Sequence, residues 1–418
     1  TTEIYTLSLH DALPICAHQP WSTLGRKSNN WAGDLGWHWL QRNRPYLDWK
    51  RNDNRGGFRC GPGYSRPGGS IWKPCKSEKT EIKLLEDQPV IESNLLRRCL
   101  LVKIYINRKI RKMKPFEKPI YVTRPILPDL SKVNIELQDI WESQWLTNGG
   151  AKHQLLEEEL KKTLKVPGIS LFNNGTIALI VAIQSLRLSG DVITTPFTFP
   201  ATPHVLPWND ISPIFCDIDE NTLTIDAEKL EKMITPKTTG ILGVHVYGMP
   251  CNVAKIQEIA DRYGLKVIYD AAHAFGTEIG GVGIGTFGDI SMFSFHATKL
   301  FHTLEGGALT FNNPQLKPRI DLLKNFGIKN EEEVVMPGIN GKMNEVQAAV
   351  GLINLRYIDE EREKRRNILD AYRKYLADIP GIKIFEIPDN IRNSYQYFVI
   401  RIGKEFGRSR DEVHAHLK

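Results

Sequence analysis

The stretch "SFHATKLFHTLEGGALTF", Ser294 to Phe311, holds one lysine, Lys299, between an apolar run and a loop closed by two glycines. A lone lysine after a strand is in most cases a solvated charge. Its company offers a second reading. Ser294 and Thr298 carry hydroxyls, and the following "LEGGAL" allows close backbone approach because glycine has no side chain. A lysine held in such a cleft loses its proton more readily and can attack a carbonyl to form a Schiff base. Asp270 ends the run "LKVIYD". A carboxylate after five largely apolar residues is costly to bury without a cationic partner. Its plain reading is a turn or helix cap; paired with a protonated pyridine nitrogen, it would hold the charge that makes the ring an electron sink.

Two further stretches have the same double character. In "NNGTIAL", Gly175 and Thr176 open a helical pattern, where free N–H groups favour a phosphate, although a simple N-cap also explains them. Phe199, in "TPFTFPAT", fits either the core or a flat surface for an aromatic ring. All four lie at the carboxyl ends of predicted strands or just after them, where open α/β sheets place ligands. They call for one molecule, an aromatic aldehyde with a ring nitrogen and a phosphate. That molecule is pyridoxal 5′-phosphate.

The elements that position these residues follow from periodicity. "HQLLEEELKKTL" is helical, and "GTIALIVAIQSLRL" reads as a buried helix. "DVITTPFTF", "SPIFCDI", "TTGILGVHVYG" and "LKVIYDAA" are short β-branched runs separated by helical "AEKLEKMI" and "NVAKIQEIADRYG". The alternation predicts an α/β fold, with a mostly parallel central sheet covered by helices. "DISMFSF" and "GGALTF" add two buried strands, and a long helical segment runs from about Asn344 to Leu376. A smaller β-plus-helix region with "SYQYFVIRI" follows, and "SRDEVHAHLK" opens on a capping box of Ser409 with Glu412. The chain stops within that helix, so the smaller domain is expected to be truncated. Gly283, Gly285 and Gly288 match G-x-G-x-x-G, but they lead into a strand where a dinucleotide fingerprint needs a helix, and they read as a turn.

Composition divides the 418 residues in two. Thr1 to Lys112 carries 20 basic against 10 acidic residues, so the net +7 leaves −3 for the remaining 306. The basic excess belongs to this leader, which argues against nucleic-acid binding by the folded body. All six methionines lie at or after Met113, whereas four of six cysteines and six of nine tryptophans precede it. The opening "TTEIYTLSLHDALPI" resembles a translated sequencing adapter, and Met113 reads as the natural start; the other reading is a basic, disordered tail. The expected organisation is a non-native or disordered leader over 1–112, a cofactor-binding large domain over 113–350 and a partial small domain over 351–418. No apolar run is long enough to span a membrane. Cysteine spacing suggests neither a zinc site nor a disulfide framework, which predicts no metal and a cytoplasmic setting.

The ordered series "WLTNGGAKHQLLEEEL", "NNGTIAL", "TPFTFPAT", "VHVYGMP", "DAAHAFG", "SFHATK", "EGGALTF" and "GINGKMNEVQAAVGL" resembles the DegT-class nucleotide-sugar aminotransferases. The resemblance implies the aspartate-aminotransferase-like fold type I, pyridoxal phosphate, and a homodimer with shared active sites. By that likeness Lys299 bonds to the cofactor aldehyde and shuttles the proton, and Asp270 partners the pyridine nitrogen. Gly175, Thr176 and Ser294 contact the phosphate, Phe199 stacks on the ring, and His273 stands near the 3′-oxygen. Asn340 reaches the phosphate of the neighbouring subunit. L-glutamate is the implied amino donor. A nucleotide-linked keto-sugar is the acceptor, and the "SFHATK" and "EGG" form is most similar to enzymes acting at C4 of dTDP-4-keto-6-deoxyglucose for surface polysaccharides such as O-antigen. A dehydratase of the same fold carries histidine at the lysine position, so Lys299 argues against it, and a non-catalytic pyridoxal-phosphate-binding protein is the other alternative. Leu304 departs from the pattern, standing where many members have glycine before "EGG".

Overall fold

The computed structural model describes residues 3–7, 120–121 and 124–417. The described residues belong to one compact unit, and residues 19–118 lie outside them. Apart from Glu3–Leu7, the expectations about the leader, its cysteines and a start at Met113 therefore also lie outside them.

Among the described residues the chain forms strands β1 Glu3–Leu7, β2 Gly168–Phe172, β3 Asp191–Thr194, β4 Ser212–Phe215, β5 Thr238–Val244 and β6 Lys266–Asp270. It continues with β7 Glu278–Ile279, β8 Val282–Gly283, β9 Ile290–Ser294, β10 Gly307–Phe311, β11 Ile382–Ile384, β12 Ile391–Arg392 and β13 Phe398–Ile402. Seven of them make the central sheet, in the order β2-β10-β9-β6-β5-β3-β4. The pairs from β4 to β9 are parallel, and β10 runs antiparallel to both β9 and β2.

Both faces of this sheet are covered, which is why its strands read as continuous apolar runs. Successive side chains point to opposite faces. Val267 and Tyr269 of β6 pack with Ile256 and Ile259 of helix Val253–Tyr263, and Ile268 between them joins Leu179 and Leu206 on the other side. In β9, Met292 joins that second cluster, and Phe293 packs with Leu156, Leu160 and Leu352. The run "DVITTPFTF" stops being a strand after Thr194, because Pro196 has no N–H to give a ladder.

The predicted long helix is two. Glu345–Leu355 is almost wholly buried and starts with a capping box, in which Asn344 Oδ1 accepts from Gln347 N at 2.8 Å and Gln347 Oε1 accepts from Asn344 N at 3.1 Å. Ile358–Leu376 is charged and buries one stripe that includes Ile358 and Leu369. Position 350 thus falls inside a helix, and the smaller layer begins only beyond it. That layer is the antiparallel sheet β1-β13-β11. Phe398, Ile400 and Ile402 of β13 pack on Leu369, while Tyr397 and Val399 face Val244 and Val246 at the end of β5. Near the end of the chain, Ser409 and Glu412 form the expected capping box, with Glu412 Oε2 accepting from Ser409 N at 2.8 Å and Ser409 Oγ accepting from Glu412 N at 3.3 Å.

Candidate active site

Lys299 sits in the loop between β9 and β10. Apolar anchors hold that loop: Phe295, Leu300 and Phe301 are buried, and Phe301 stacks on Phe275 with ring centroids 4.6 Å apart. The loop also closes on itself, through Phe295 N to Gly306 O at 2.8 Å and Thr303 N to Phe295 O at 3.0 Å. Among the described residues, Nζ of Lys299 has no hydrogen-bond or ion-pair partner. A little of the side chain still meets solvent, but the protein around it is dense enough that desolvation lowers the ammonium pKa to about 8, against a smaller opposing pull from Asp270.

Asp270 ends β6 and is 5% exposed. Its Oδ2 accepts from Thr202 Oγ1 at 2.7 Å and its Oδ1 from Ala272 N at 3.0 Å. Burial raises its pKa; the two donors and the charge on Lys299 oppose that. A carboxylate this deep has two donors and no ion pair among the described residues, so a cationic N–H placed against it would stabilise its charge.

Thr202 opens a second link. Its N–H bonds back to the carbonyl of Phe199 at 3.1 Å, so the turn that presents Phe199 also presents the hydroxyl that holds Asp270. Phe199 is 59% exposed. It is not a core residue, and its ring offers a face to a ligand.

His273 follows β6 by three residues. Its Nδ1 accepts from Tyr247 N at 3.2 Å, which leaves the proton on Nε2. Burial, and then the charge on Lys299, keep its pKa well below the usual histidine value, so the ring is a neutral donor. Tyr397 packs edge-on against it at 4.6 Å.

The phosphate seat is formed by two meeting ends. Asn174 caps helix Gly175–Ser185 by accepting from Ile177 N at 2.8 Å. This leaves the N–H groups of Gly175 and Thr176 without protein partners among the described residues, at the positive end of the helix dipole. A Cβ on Gly175 would lie 3.3 Å from the Ser294 Cβ, and one on Gly307 would lie 2.8 Å from the Asn174 carbonyl. Close approach to backbone therefore excludes a side chain at Gly307 and leaves little room for one at Gly175. Asn340 is exposed; its Oδ1 accepts from Lys342 Nζ at 2.9 Å and its backbone carbonyl from Asn173 Nδ2 at 3.3 Å, so within one chain its loop adjoins the residue before the cap.

The structure thus brings Lys299, Asp270 and His273 into one electrostatic cluster, and Gly175 into contact with Ser294. Thr202 is the contributor that sequence reasoning did not single out, although it lies within the quoted "TPFTFPAT". Tyr247 and Tyr397 had no local signal. Tyr247 adopts φ +55° beside His273, and Tyr397 arrives from β13's leading edge.

A desolvated lysine coupled to a buried carboxylate, with an open helix N-terminus in the same sheet layer, is a constellation that suits pyridoxal-phosphate chemistry, and comparison with known proteins defines its class. The model of the DegT/DnrJ/EryC1/StrS aminotransferase family matches residues 130–418, and the chain belongs to that family. It is 49% identical over 303 residues to a dTDP-4-amino-4,6-dideoxy-D-glucose transaminase of Escherichia coli, covering 72% of this chain and 82% of that protein. It is 35% identical to the spore coat polysaccharide biosynthesis protein SpsC of Bacillus subtilis, over 70% of this chain and 79% of that one. Among solved structures, DesI in the presence of its TDP-sugar product aligns with a TM-score of 0.68 and 36% identity, over 71% of this chain and 76% of that chain. Helicobacter pylori PseC, an aminotransferase of pseudoaminic acid biosynthesis, aligns at 0.65 and 28%, over 70% and 81%. The protein is a pyridoxal-phosphate-dependent aminotransferase of fold type I.

Proposed function

We propose that this enzyme moves an amino group from L-glutamate to C4 of dTDP-4-keto-6-deoxyglucose, supplying an amino sugar for surface polysaccharide such as O-antigen. The unpartnered Nζ of Lys299, largely desolvated and coupled to the charge of the buried Asp270, carries the chemical part of this reading. The 49% identity to a transaminase named for dTDP-4-amino-4,6-dideoxy-D-glucose, the amino sugar that amination at C4 would give, supports the substrate. Bound pyridoxal phosphate supplies an aldehyde for amino groups and a ring that draws off electrons.

The residues divide the work. Asp270, kept charged by Thr202 and Ala272 N–H, holds a proton on the ring nitrogen. Gly175 and Thr176 N–H groups, with Ser294, hold the phosphate at the helix end. Phe199 covers one face of the ring, and His273 Nε2–H donates to the 3′-oxygen. Lys299 Nζ, whose ammonium form desolvation disfavours, takes the proton from the donor's α-carbon and returns it in the second half of the reaction.

We place the reaction in the cytoplasm, in keeping with the free, buried Cys216 and Cys251, and in a homodimer whose Asn340 completes the neighbour's phosphate seat. The test is direct. Protein loaded with pyridoxal phosphate is given L-glutamate and a panel of dTDP- and GDP-linked keto-sugars, and products are read by mass. Fastest amination of dTDP-4-keto-6-deoxyglucose is expected; preference for a GDP-linked sugar, or no amination of any, overturns the reading.

A further inference from the structure

Gln396 lies in the segment leading into β13, 97 positions after Lys299, and is 1% exposed. Its amide touches the two peptide groups that flank the lysine. Oε1 accepts from Leu300 N at 2.6 Å, and Nε2 donates to the carbonyl of Thr298 at 3.1 Å. One side chain therefore satisfies the donor after Lys299 and the acceptor before it.

The side chain that grips is itself gripped. Gln396 N donates to Ser394 Oγ at 3.3 Å, and Ser394 Oγ donates to the His273 carbonyl at 2.7 Å. Asn393 Nδ2 donates to Gly248 O at 2.9 Å, beside Tyr247, whose N–H fixes the His273 ring. Arg365 reaches the Gln396 carbonyl from helix Ile358–Leu376 at 3.5 Å. Segment 393–397 is thus bonded both to the lysine loop and to the His273 turn.

We propose that Gln396 is the positioning residue for Lys299. A lysine has four rotatable bonds between Cα and Nζ, so the aim of the amine depends on a fixed Cα–Cβ direction. That direction is set by the two peptide planes on either side. The amide side chain presents a donor and an acceptor in one rigid plane to match them at every pH. The contact also makes the aim of Lys299 depend on the seating of the smaller layer, since Gln396 enters β13. Gln396 touches neither substrate nor the reacting atoms in this account, which rests on the assignment of Lys299 above.

Gln396→Met and Gln396→Glu in the full chain test it. Met keeps the length and removes both bonds; Glu keeps the acceptor for Leu300 and turns a carboxylate oxygen toward the Thr298 carbonyl. Hydrogen exchange at Leu300, read without any substrate, is expected to quicken about tenfold or more in Gln396→Met, with β5 and β10 unaffected. In the loaded enzyme kcat should fall about 10- to 100-fold, with KM for glutamate within about twofold. In Gln396→Glu the deficit relative to the parent, taken at each pH, should shrink as pH falls and the carboxyl gains a proton to donate. Unchanged exchange at Leu300, or acceleration spread equally over the sheet, overturns the proposal, as does a Gln396→Glu deficit that ignores pH. If the parent aminates no sugar, the functional reading fails while the exchange measurement still judges the clamp.

Discussion

Thr202 Oγ1 donates to Asp270 Oδ2 at 2.7 Å, and the Thr198 hydroxyl lies 2.8 Å from Thr202 in turn. A two-residue hydroxyl chain from the Phe199 turn thus supports a carboxylate that burial pushes toward its neutral form. Thr202→Val keeps the shape and removes the donor, so the Asp270 pKa rises further and a higher pH is needed to ionise it. The acid limb of the kcat–pH profile is expected to move up by about one unit, with kcat on the acid side of the parent's limb reduced about tenfold and the plateau little changed. A profile superimposable on the parent's would remove Thr202 from the machinery.

Lys299 itself gives the plainest outcome. Lys299→Ala should still bind pyridoxal phosphate through the helix end, but borohydride should fix none of it to the chain, and turnover should drop about 10³-fold or more. A borohydride-stable adduct in this variant would show that another residue holds the aldehyde.

The pH at which Lys299 becomes a nucleophile follows from its surroundings. Its pKa is lowered from the ordinary lysine value to about 8, so in the cofactor-free protein the rate of attachment should rise with pH through a midpoint near 8. Asp270 is the group that pulls this value upward. Asp270→Asn should therefore move the midpoint lower, even as it weakens catalysis. Stopped-flow absorbance against pH checks both the position and the sign.

A Cβ added at Gly307 would lie 2.8 Å from the Asn174 carbonyl and from the Gly175 nitrogen. Gly307→Ala must push the helix end away from β10, and cofactor affinity should weaken about tenfold or more while the chain stays folded. Equilibrium titration with pyridoxal phosphate, alongside circular dichroism, separates the two effects.

Leu304 adopts φ +67° and is 42% exposed. A left-handed non-glycine residue is strained by roughly 1–2 kcal/mol, and glycine's extra chain entropy returns roughly 0.5–1 kcal/mol of that. Leu304→Gly should then stabilise the protein by up to about 1 kcal/mol in urea unfolding, with unchanged cofactor binding. A loss of stability would mean that the leucine side chain is held by contacts that outweigh its backbone strain.

What the sequence by itself determined is the local part. Alternating apolar runs announced a covered parallel sheet, because strands buried on both faces must be apolar throughout. "NNGTIAL" announced a capped helix start, and the ordered motifs pointed to the family and singled out the lysine and the aspartate as candidates. Short-range patterns are legible because capping, turn chemistry and strand period act within a few residues. Periodicity failed where a nearby constraint overrode it, as at Pro196, which ends β3 early, and at Arg356–Tyr357, where one predicted helix becomes two. Only the tertiary structure decided that Thr202 supports Asp270, that Tyr247 sets the His273 tautomer, and that Gln396 spans the peptides around Lys299. Those contacts join residues 26 to 96 positions apart. No local preference encodes such a pair, since each partner taken alone is a polar residue with many acceptable neighbours. Burial removes water as the alternative partner, and the packed sheet then leaves each of these groups one place to find its bond.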